Sequence, residues 1–191
     1  MKHLLRICMA LLMLGLVTAC DPDDSEVTFL PSADEYNADF VLEWMDLSLK
    51  LTKETAGFTP PVSARMFAYV GLALYESVQP GIPNALSMAG QVVGLEASAL
   101  PEIDPDLDYH WLLVANAAMG HIVKACYAPA SEINLFQVAS LEQKYEERYR
   151  TKVSAAIHKR SVEYGRAVAA AIANYANSDG QQFCYQTNFP A

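Results

Sequence analysis

The side chains that most often bind metals are few in this sequence and lie far apart. Histidine occurs at positions 3, 110, 121 and 158, and these positions lack the short spacing that metal ligands on one helix show. Cys126 and Cys184 have no histidine beside them. The sequence therefore predicts no metal site.

A catalytic nucleophile or an anion pocket has no stronger signal. No Gly-x-Ser-x-Gly turn is present, so the pattern places no serine as a nucleophile. The densest basic stretch, residues 144–160, reads KYEERYRTKVSAAIHKR, and glutamates are interleaved with its basic residues. Such mixing is typical of a solvated, salt-bridged helix face rather than of convergent donors around an oxyanion. We therefore predict no catalytic, cofactor-binding or metal-binding residue in this chain.

Two thiols offer the remaining chemistry. Cys126 and Cys184 could form a disulfide in an oxidising compartment. Their spacing carries no information about geometry, and buried cysteine thiols are common in proteins. The disulfide and the pair of thiols therefore both stay open.

Two charged residues stand out in the apolar segment 59–78, TPPVSARMFAYVGLALYESV. A helix that is apolar on nearly all sides is either buried or spans a membrane, and the charges of Arg65 and Glu76 argue against a span. We expect a central core helix in which both charges have structural roles and find partners elsewhere, because an unpaired buried charge is costly. Small residues on this helix would let neighbouring helices approach closely: Ala64, Ala68, Gly71 and Ala73.

The segments that must position these residues all have helical patterns. A helix is expected from Ser32, which has capping-box spacing to Glu35, to about Thr55. Thr59 and Pro60 start the next helix, and residues 80–107 read as loop because they are rich in proline and glycine. Later helices are expected to begin at Asp108, Ser131 and Ser154, and the last ends at Asp179-Gly180. The sequence predicts an all-α domain of about five helices over residues 32–191.

The first twenty residues have the layout of an exported lipoprotein. Residues 1–19 combine two basic residues, an apolar run and a small-residue end, as a signal peptide does. The segment LVTAC resembles the bacterial lipobox, in which Cys20 is acylated and becomes the first residue of the mature chain. Residues 20–31 read as an acidic tether. We expect a protein anchored by its lipid to a membrane of a bacterial cell envelope, facing the periplasm or the cell surface.

The charge balance disfavours some partners. Loss of Lys2 and Arg6 with the signal peptide changes the net charge from −9 to −11, which is two positive charges fewer. An acidic chain of this kind is unsuited to bind nucleic acid or an anionic lipid surface. We therefore expect membrane contact through the lipid anchor and no nucleic-acid partner.

The segment 60–78 resembles the early helix of vanadium-dependent haloperoxidase-like proteins. In that helix a Pro-Pro pair precedes an Ala-Arg pair and a Tyr-acidic pair. The matching positions here are Pro60-Pro61, Ala64-Arg65 and Tyr75-Glu76. The helix around Trp44 and the alanine-rich segments 108–123 and 161–180 follow the family's order, so the resemblance covers roughly residues 36–190.

The resemblance implies an all-helical fold shared with the type 2 phosphatidic acid phosphatase superfamily. It also implies a pocket that holds vanadate or phosphate among lysine, arginine, serine and histidine. The family's signatures for that pocket are a lysine with a later Arg-Pro, a Ser-Gly-His, and an arginine with a later histidine. None of them occurs here: Gly120-His121 follows Met119 instead of serine, and no proline follows Lys159. Vanadate is thus implied only for a full-length relative, and Arg65, Tyr75 and Glu76 carry over as structural positions alone.

Two hypotheses about function follow. In the first, the chain is the N-terminal helical part of a membrane-anchored haloperoxidase-like or phosphatase-like lipoprotein. Its anion-binding catalytic half then lies outside this chain, and that half or a second copy is its partner. In the second, the chain is a complete, non-enzymatic helical envelope lipoprotein with a scaffold or interaction role.

Overall fold

The computed structural model describes residues 30–187, which form an all-α bundle. Its five long helices are α1 (Asp39–Glu54), α2 (Pro60–Val78), α3 (Trp111–Cys126), α4 (Glu132–Arg150) and α5 (Ala155–Ser178). A short helix, α6 (Cys184–Thr187), comes last. These described residues contain no β-strand, only an isolated bridge between Ala89 and Val92. The prediction of an all-α fold with about five helices is confirmed.

Part of the sequence interpretation lies outside the described residues. It comprises the signal peptide 1–19, the acylated Cys20 and the tether as far as residue 29. Among residues 30–187, none of the helices combines the length and the hydropathy that a membrane crossing requires.

Three helix boundaries lie where the capping residues indicated. Ser131 and Ser154 are the N-caps of α4 and α5, and their hydroxyl oxygens accept hydrogen bonds from the N–H groups of Asn134 and Ile157. Gly180 follows the end of α5 with a φ of +75°, which glycine adopts without strain. Local capping chemistry therefore fixes these ends.

The predicted start of the first helix is wrong. The capping box of Ser32 and Glu35 is present, but it closes a 3₁₀ turn, Ala33–Glu35, and α1 begins at Asp39. Tyr36 lies between the two with an extended backbone, φ −84° and ψ 147°. The turn therefore cannot continue into the helix.

The predicted helix start at Asp108 is also wrong, because α3 begins at Trp111. His110 is the N-cap, and its ring Nδ1 accepts a hydrogen bond of 3.3 Å from the N–H of Leu113. A ring nitrogen takes the place of the oxygen that capping patterns assume, so the pattern pointed to the wrong residue.

The central helix of the bundle is α3, and the prediction that the 60–78 helix holds that place is wrong. Helix α3 packs against α2, α4 and α5, and twelve of its sixteen residues are buried, against seven of nineteen in α2. Gly165 of α5 permits the closest approach, since a Cβ there would collide with the carbonyl oxygen of Val114. Helix α2 is buried on one side only.

The opposite side of α2 forms an open surface that we call the outer face. It consists of Pro61, Ala64 and Ala68, which are exposed, and of Gly71, Leu72 and Tyr75, which are half-buried, Leu72 with contacts to the core. A Cβ added at Gly71 would meet no heavy atom of the described part of the chain within 4 Å. Of the small residues expected to receive neighbouring helices, only Ala73 is buried among the described residues.

Helix α1 is joined to the centre by its apolar side. Phe40, Trp44 and Leu51 are buried on this side, and Val41 and Leu47 are half-buried. The indole N–H of Trp44 donates to Oδ1 of Asn116, 3.2 Å away, and the amide of Asn116 donates to the carbonyl of Glu142, 2.8 Å away. One buried asparagine of α3 thus links α1 and α4.

Candidate functional site

Arg65, near the start of α2, is bound to the end of α5. Its Nε and Nη2 donate to the two carboxylate oxygens of Asp179, at 2.7 and 3.0 Å, and Nη2 also donates to the carbonyl of Ala176 at 2.6 Å. The hydroxyl of Tyr69 donates to the same carboxylate at 2.8 Å, and its ring lies 4.9 Å from the guanidinium carbon. Hydrogen bonding from Arg65 lowers the pKa of Asp179. The charge of Arg65 is therefore paired with that of Asp179.

An apolar cavity of about 160 Å³ lies beside Arg65. Helices α3 and α5 supply about half of its wall, including Ile122, Cys126 and Ala173, and the segment before α6 supplies Phe183. Burial raises the pKa of the Cys126 thiol to about 12, although the nearby charge of Arg65 acts in the other direction. A thiol with such a pKa is a poor nucleophile at neutral pH.

Cys126 and Cys184 are not joined by a disulfide in the structure. The first is buried at the end of α3, and the second is half-buried at the start of α6. Both lie within electrostatic range of Arg65. The fold therefore brings the two predicted thiols to the same end of the bundle without a covalent bond.

Helix α6, which sequence reasoning missed, is held at this end by aromatic stacking. The ring of Phe58 stacks on Tyr127 with a centroid distance of 5.0 Å and on Tyr185 with one of 6.2 Å. Gly57 also lies against the carbonyl of Tyr185, which leaves no room for a Cβ. The aromatic spacing in FCYQ is the one signal that could have indicated docking of this segment.

Glu76, in the last turns of α2, is 3% exposed and forms a second polar network. Its Oε2 accepts from the hydroxyl of Ser87 at 2.7 Å, and its Oε1 accepts from the N–H of Met88 at 2.6 Å. The hydroxyl of Tyr75 donates to the carbonyl of Leu86 at 2.7 Å. Tyr75 and Glu76 thus fasten the loop that follows α2, and the two donors to Glu76 are uncharged.

A cleft of about 460 Å³ lies beside Glu76. Its walls come from the end of α2, from the loop of residues 79–105 and from Tyr164 and Val168 of α5. Tyr164 is 8% exposed, and the pKa of its phenol is raised to about 12 by burial first, then by Tyr109 and Glu76. Among residues 30–187, no lysine, arginine or histidine lines this cleft.

A buried histidine lies in an aromatic cluster that sequence reasoning also missed. His110 is 3% exposed, and its ring centroid is 5.4 Å from that of Tyr36 and 5.6 Å from that of Tyr149. Burial lowers the pKa of His110 to about 4. Because Nδ1 accepts the N–H of Leu113, the neutral ring carries its proton on Nε2. Its position as a helix cap makes it a structural group.

Several basic residues of α4 and α5 form ion pairs with glutamates, in line with the salt-bridged face that the sequence predicted. Nη2 of Arg166 lies 2.8 Å from Oε1 of Glu142, and Nε2 of His158 lies 3.0 Å from Oε1 of Glu146. Nζ of Lys144 contacts Glu43 of α1 at 2.6 Å. Between residues 30 and 187 no group of three or more His, Cys, Asp or Glu side chains could hold a metal ion.

The three candidate surfaces are therefore the cavity at Arg65, the cleft at Glu76 and the outer face of α2.

No protein-family model, no curated protein and no solved structure matches this chain.

Proposed function

We propose that this chain is the N-terminal, non-catalytic helical part of a membrane-anchored haloperoxidase-like or phosphatase-like lipoprotein. On this proposal it is anchored through Cys20 in a bacterial cell envelope, and it packs against the half of the protein that binds the anion. The family in this proposal comes from the sequence resemblance alone. The contacts between the segments that carry the resemblance support their belonging to one folded unit. Arg65 of the family-like segment 60–78 is bound to Asp179 of the family-like segment 161–180.

The outer face of α2 is the observation that carries the proposal. A helix this apolar usually packs on more than one side. Here its exposed side consists of small and apolar residues, and Gly71 is open. Small residues let a second helix come close. In the proposed assembly a helix of the anion-binding half covers this face.

The distribution of cationic side chains supports a non-catalytic role. A tetrahedral oxyanion needs several donors that converge on it. Arg65 is engaged by Asp179 and Ala176, and Arg166 by Glu142 on a separate surface. Vanadate or phosphate would then bind to the other half of the protein.

A direct binding experiment tests this role. The purified full chain is titrated with vanadate, and we expect no saturable binding and no bromide oxidation with peroxide. Saturable vanadate binding that disappears in Arg65→Ala at unchanged stability would contradict the proposal and would make this arginine an anion ligand.

The second candidate function is a helical envelope lipoprotein with a scaffold or interaction role and no catalytic half. The enclosure of α3 by α2, α4 and α5 favours it, because this core needs no further element to cover its central helix. The two candidates predict different sizes for the native polypeptide or complex, which can be detected with an antibody against residues 30–187. The first predicts a polypeptide well above 20.9 kDa or a stable complex that contains a catalytic half. The second predicts neither.

A further inference from the structure

Glu76 is a buried carboxylate without a cation. It is 3% exposed, and none of the ion pairs within residues 30–187 involves it. Its two hydrogen bonds come from an uncharged hydroxyl and an uncharged backbone N–H. Burial of a charge is costly unless a partner compensates it, so a bound cation would stabilise this carboxylate.

The acceptor capacity of Glu76 is only half used. A carboxylate offers about four lone-pair positions, and Ser87 and Met88 occupy two of them. One position on each oxygen is left for a donor from the cleft. Tyr164 borders the same cleft close to the carboxylate, and its hydroxyl oxygen can accept a further hydrogen.

The cleft has the size and walls of a small-molecule site. Its volume of about 460 Å³ falls within the range of roughly 300–1,000 Å³ that ligand pockets show. The residues around Glu76 are mainly apolar, among them Leu100, Pro101, Ile103 and Val168, and the other charged residue of the wall is Glu102. The wall therefore combines the buried carboxylate of Glu76 with an apolar surface for a short aliphatic chain.

These features favour an organic ammonium over a metal ion. Metal sites built by proteins usually combine several ligating side chains, and residues 30–187 hold no group of three or more His, Cys, Asp or Glu that could bind a metal ion. A primary ammonium carries three N–H donors and forms charge-assisted hydrogen bonds with carboxylates. We propose that the cleft between the 79–105 loop and α5 binds a small primary alkylammonium, with Glu76 as its anionic anchor and Tyr164 as a second acceptor.

The proposal is tested by titrating the full chain with n-butylammonium chloride and following backbone amide chemical shifts. Saturable shifts are expected at residues of the cleft, and Glu76→Gln should weaken binding about 10- to 100-fold because a charge-assisted hydrogen bond is lost. The amide oxygen of glutamine can still accept the N–H of Met88, and its NH₂ group can donate to the Ser87 hydroxyl oxygen, so this variant should keep the loop in place. The matched control is Glu102→Gln, which removes the exposed carboxylate of the same wall and should change the affinity less than about threefold.

A second variant and two further probes keep the test decisive if Glu76→Gln fails to fold. Ala97→Trp adds a ring from an exposed position of the wall and should block binding with the Glu76 network intact. The uncharged n-butanol should not saturate the site. Acetyl-lysine methylamide carries the same ammonium on a peptide-like group. The inferred site should bind it more weakly than n-butylammonium, because the site accepts a small free amine and not a lysine of another protein. Equal binding of butanol and butylammonium, or unchanged affinity in Glu76→Gln or in Ala97→Trp, would overturn the proposal.

Discussion

Arg65 and Asp179 form a two-pronged ion pair that joins the start of α2 to the residue after α5. The distances from Nε to Oδ2 and from Nη2 to Oδ1 are 2.7 and 3.0 Å, and the side chains are 16% and 25% exposed. Partial burial and two parallel hydrogen bonds make such a pair stronger than an exposed one. The contact spans 114 residues of sequence.

This pair should contribute measurably to folding. Arg65→Ala is expected to lower the free energy of unfolding by about 1–3 kcal/mol, because Asp179 loses its charged donor. A fully buried pair would cost more. Chemical denaturation of Arg65→Ala, Asp179→Ala and the double variant measures the coupling. The coupling should be lost only in strong acid, as the pH falls through the folded pKa of Asp179, which Arg65 holds below its ordinary value. A coupling near zero at pH 7 would contradict this assignment.

Stability should fall in mild acid because of His110. Its folded pKa of about 4 lies below its ordinary value of 6.5, so the unfolded chain binds more protons between these two values. Stability attributable to this residue is therefore present above pH 6.5 and lost as the pH falls towards 4, with a slope of at most about 1.4 kcal/mol per pH unit.

His110→Asn is the matched variant for this pH dependence. Asparagine is a good N-cap, so it can accept the N–H of Leu113 but cannot titrate. The difference in unfolding free energy between the two proteins should change between pH 4 and 6.5 and be constant above it. A constant difference over the whole range would show that His110 does not titrate as its burial implies.

The Cys126 thiol should react slowly with alkylating agents. Burial raises its pKa to about 12, so little thiolate exists at pH 8. Mass spectrometry of peptides after iodoacetamide treatment should show Cys184 labelled first and Cys126 labelled mainly after denaturation. A disulfide would give a different result: if both cysteines resist labelling until a reductant is added, they are joined in the isolated protein.

Anchoring through Cys20 has its own test. Cys20→Ala should abolish incorporation of labelled palmitate and leave an uncleaved or soluble form. Cys8, which lies within residues 1–19, provides the control, because Cys8→Ala should still be labelled. Palmitate labelling of Cys20→Ala would show that the lipobox interpretation is wrong.

Local signals predicted the helices better than their arrangement. Capping by Ser131 and Ser154 and the stop at Gly180 depend on neighbouring residues, so the sequence places them correctly. The starts of α1 and α3 depend on the extended backbone at Tyr36 and on the ring of His110, which capping patterns do not describe.

The central position of α3 was not predictable from apolar content alone. Segments 60–78 and 111–126 are both largely apolar, and only their contacts decide which one has neighbours on all sides. The need of Arg65 and Glu76 for polar partners was predictable from the cost of burying charge. The partners themselves, Asp179 and Ser87, lie 114 and 11 residues away and required the fold.

The outer face of α2 provides the most direct test of the proposed function. Benzoylphenylalanine is placed at Ala68 in the native cell envelope, and the matched control is the same probe at the exposed Ala139 of α4. On illumination, Ala68 should cross-link to a peptide from a segment that carries an Arg-Pro or Ser-Gly-His signature, while Ala139 should not. Absence of any cross-link at Ala68 beyond that at Ala139, or cross-links only to a second copy of this chain, would contradict the account.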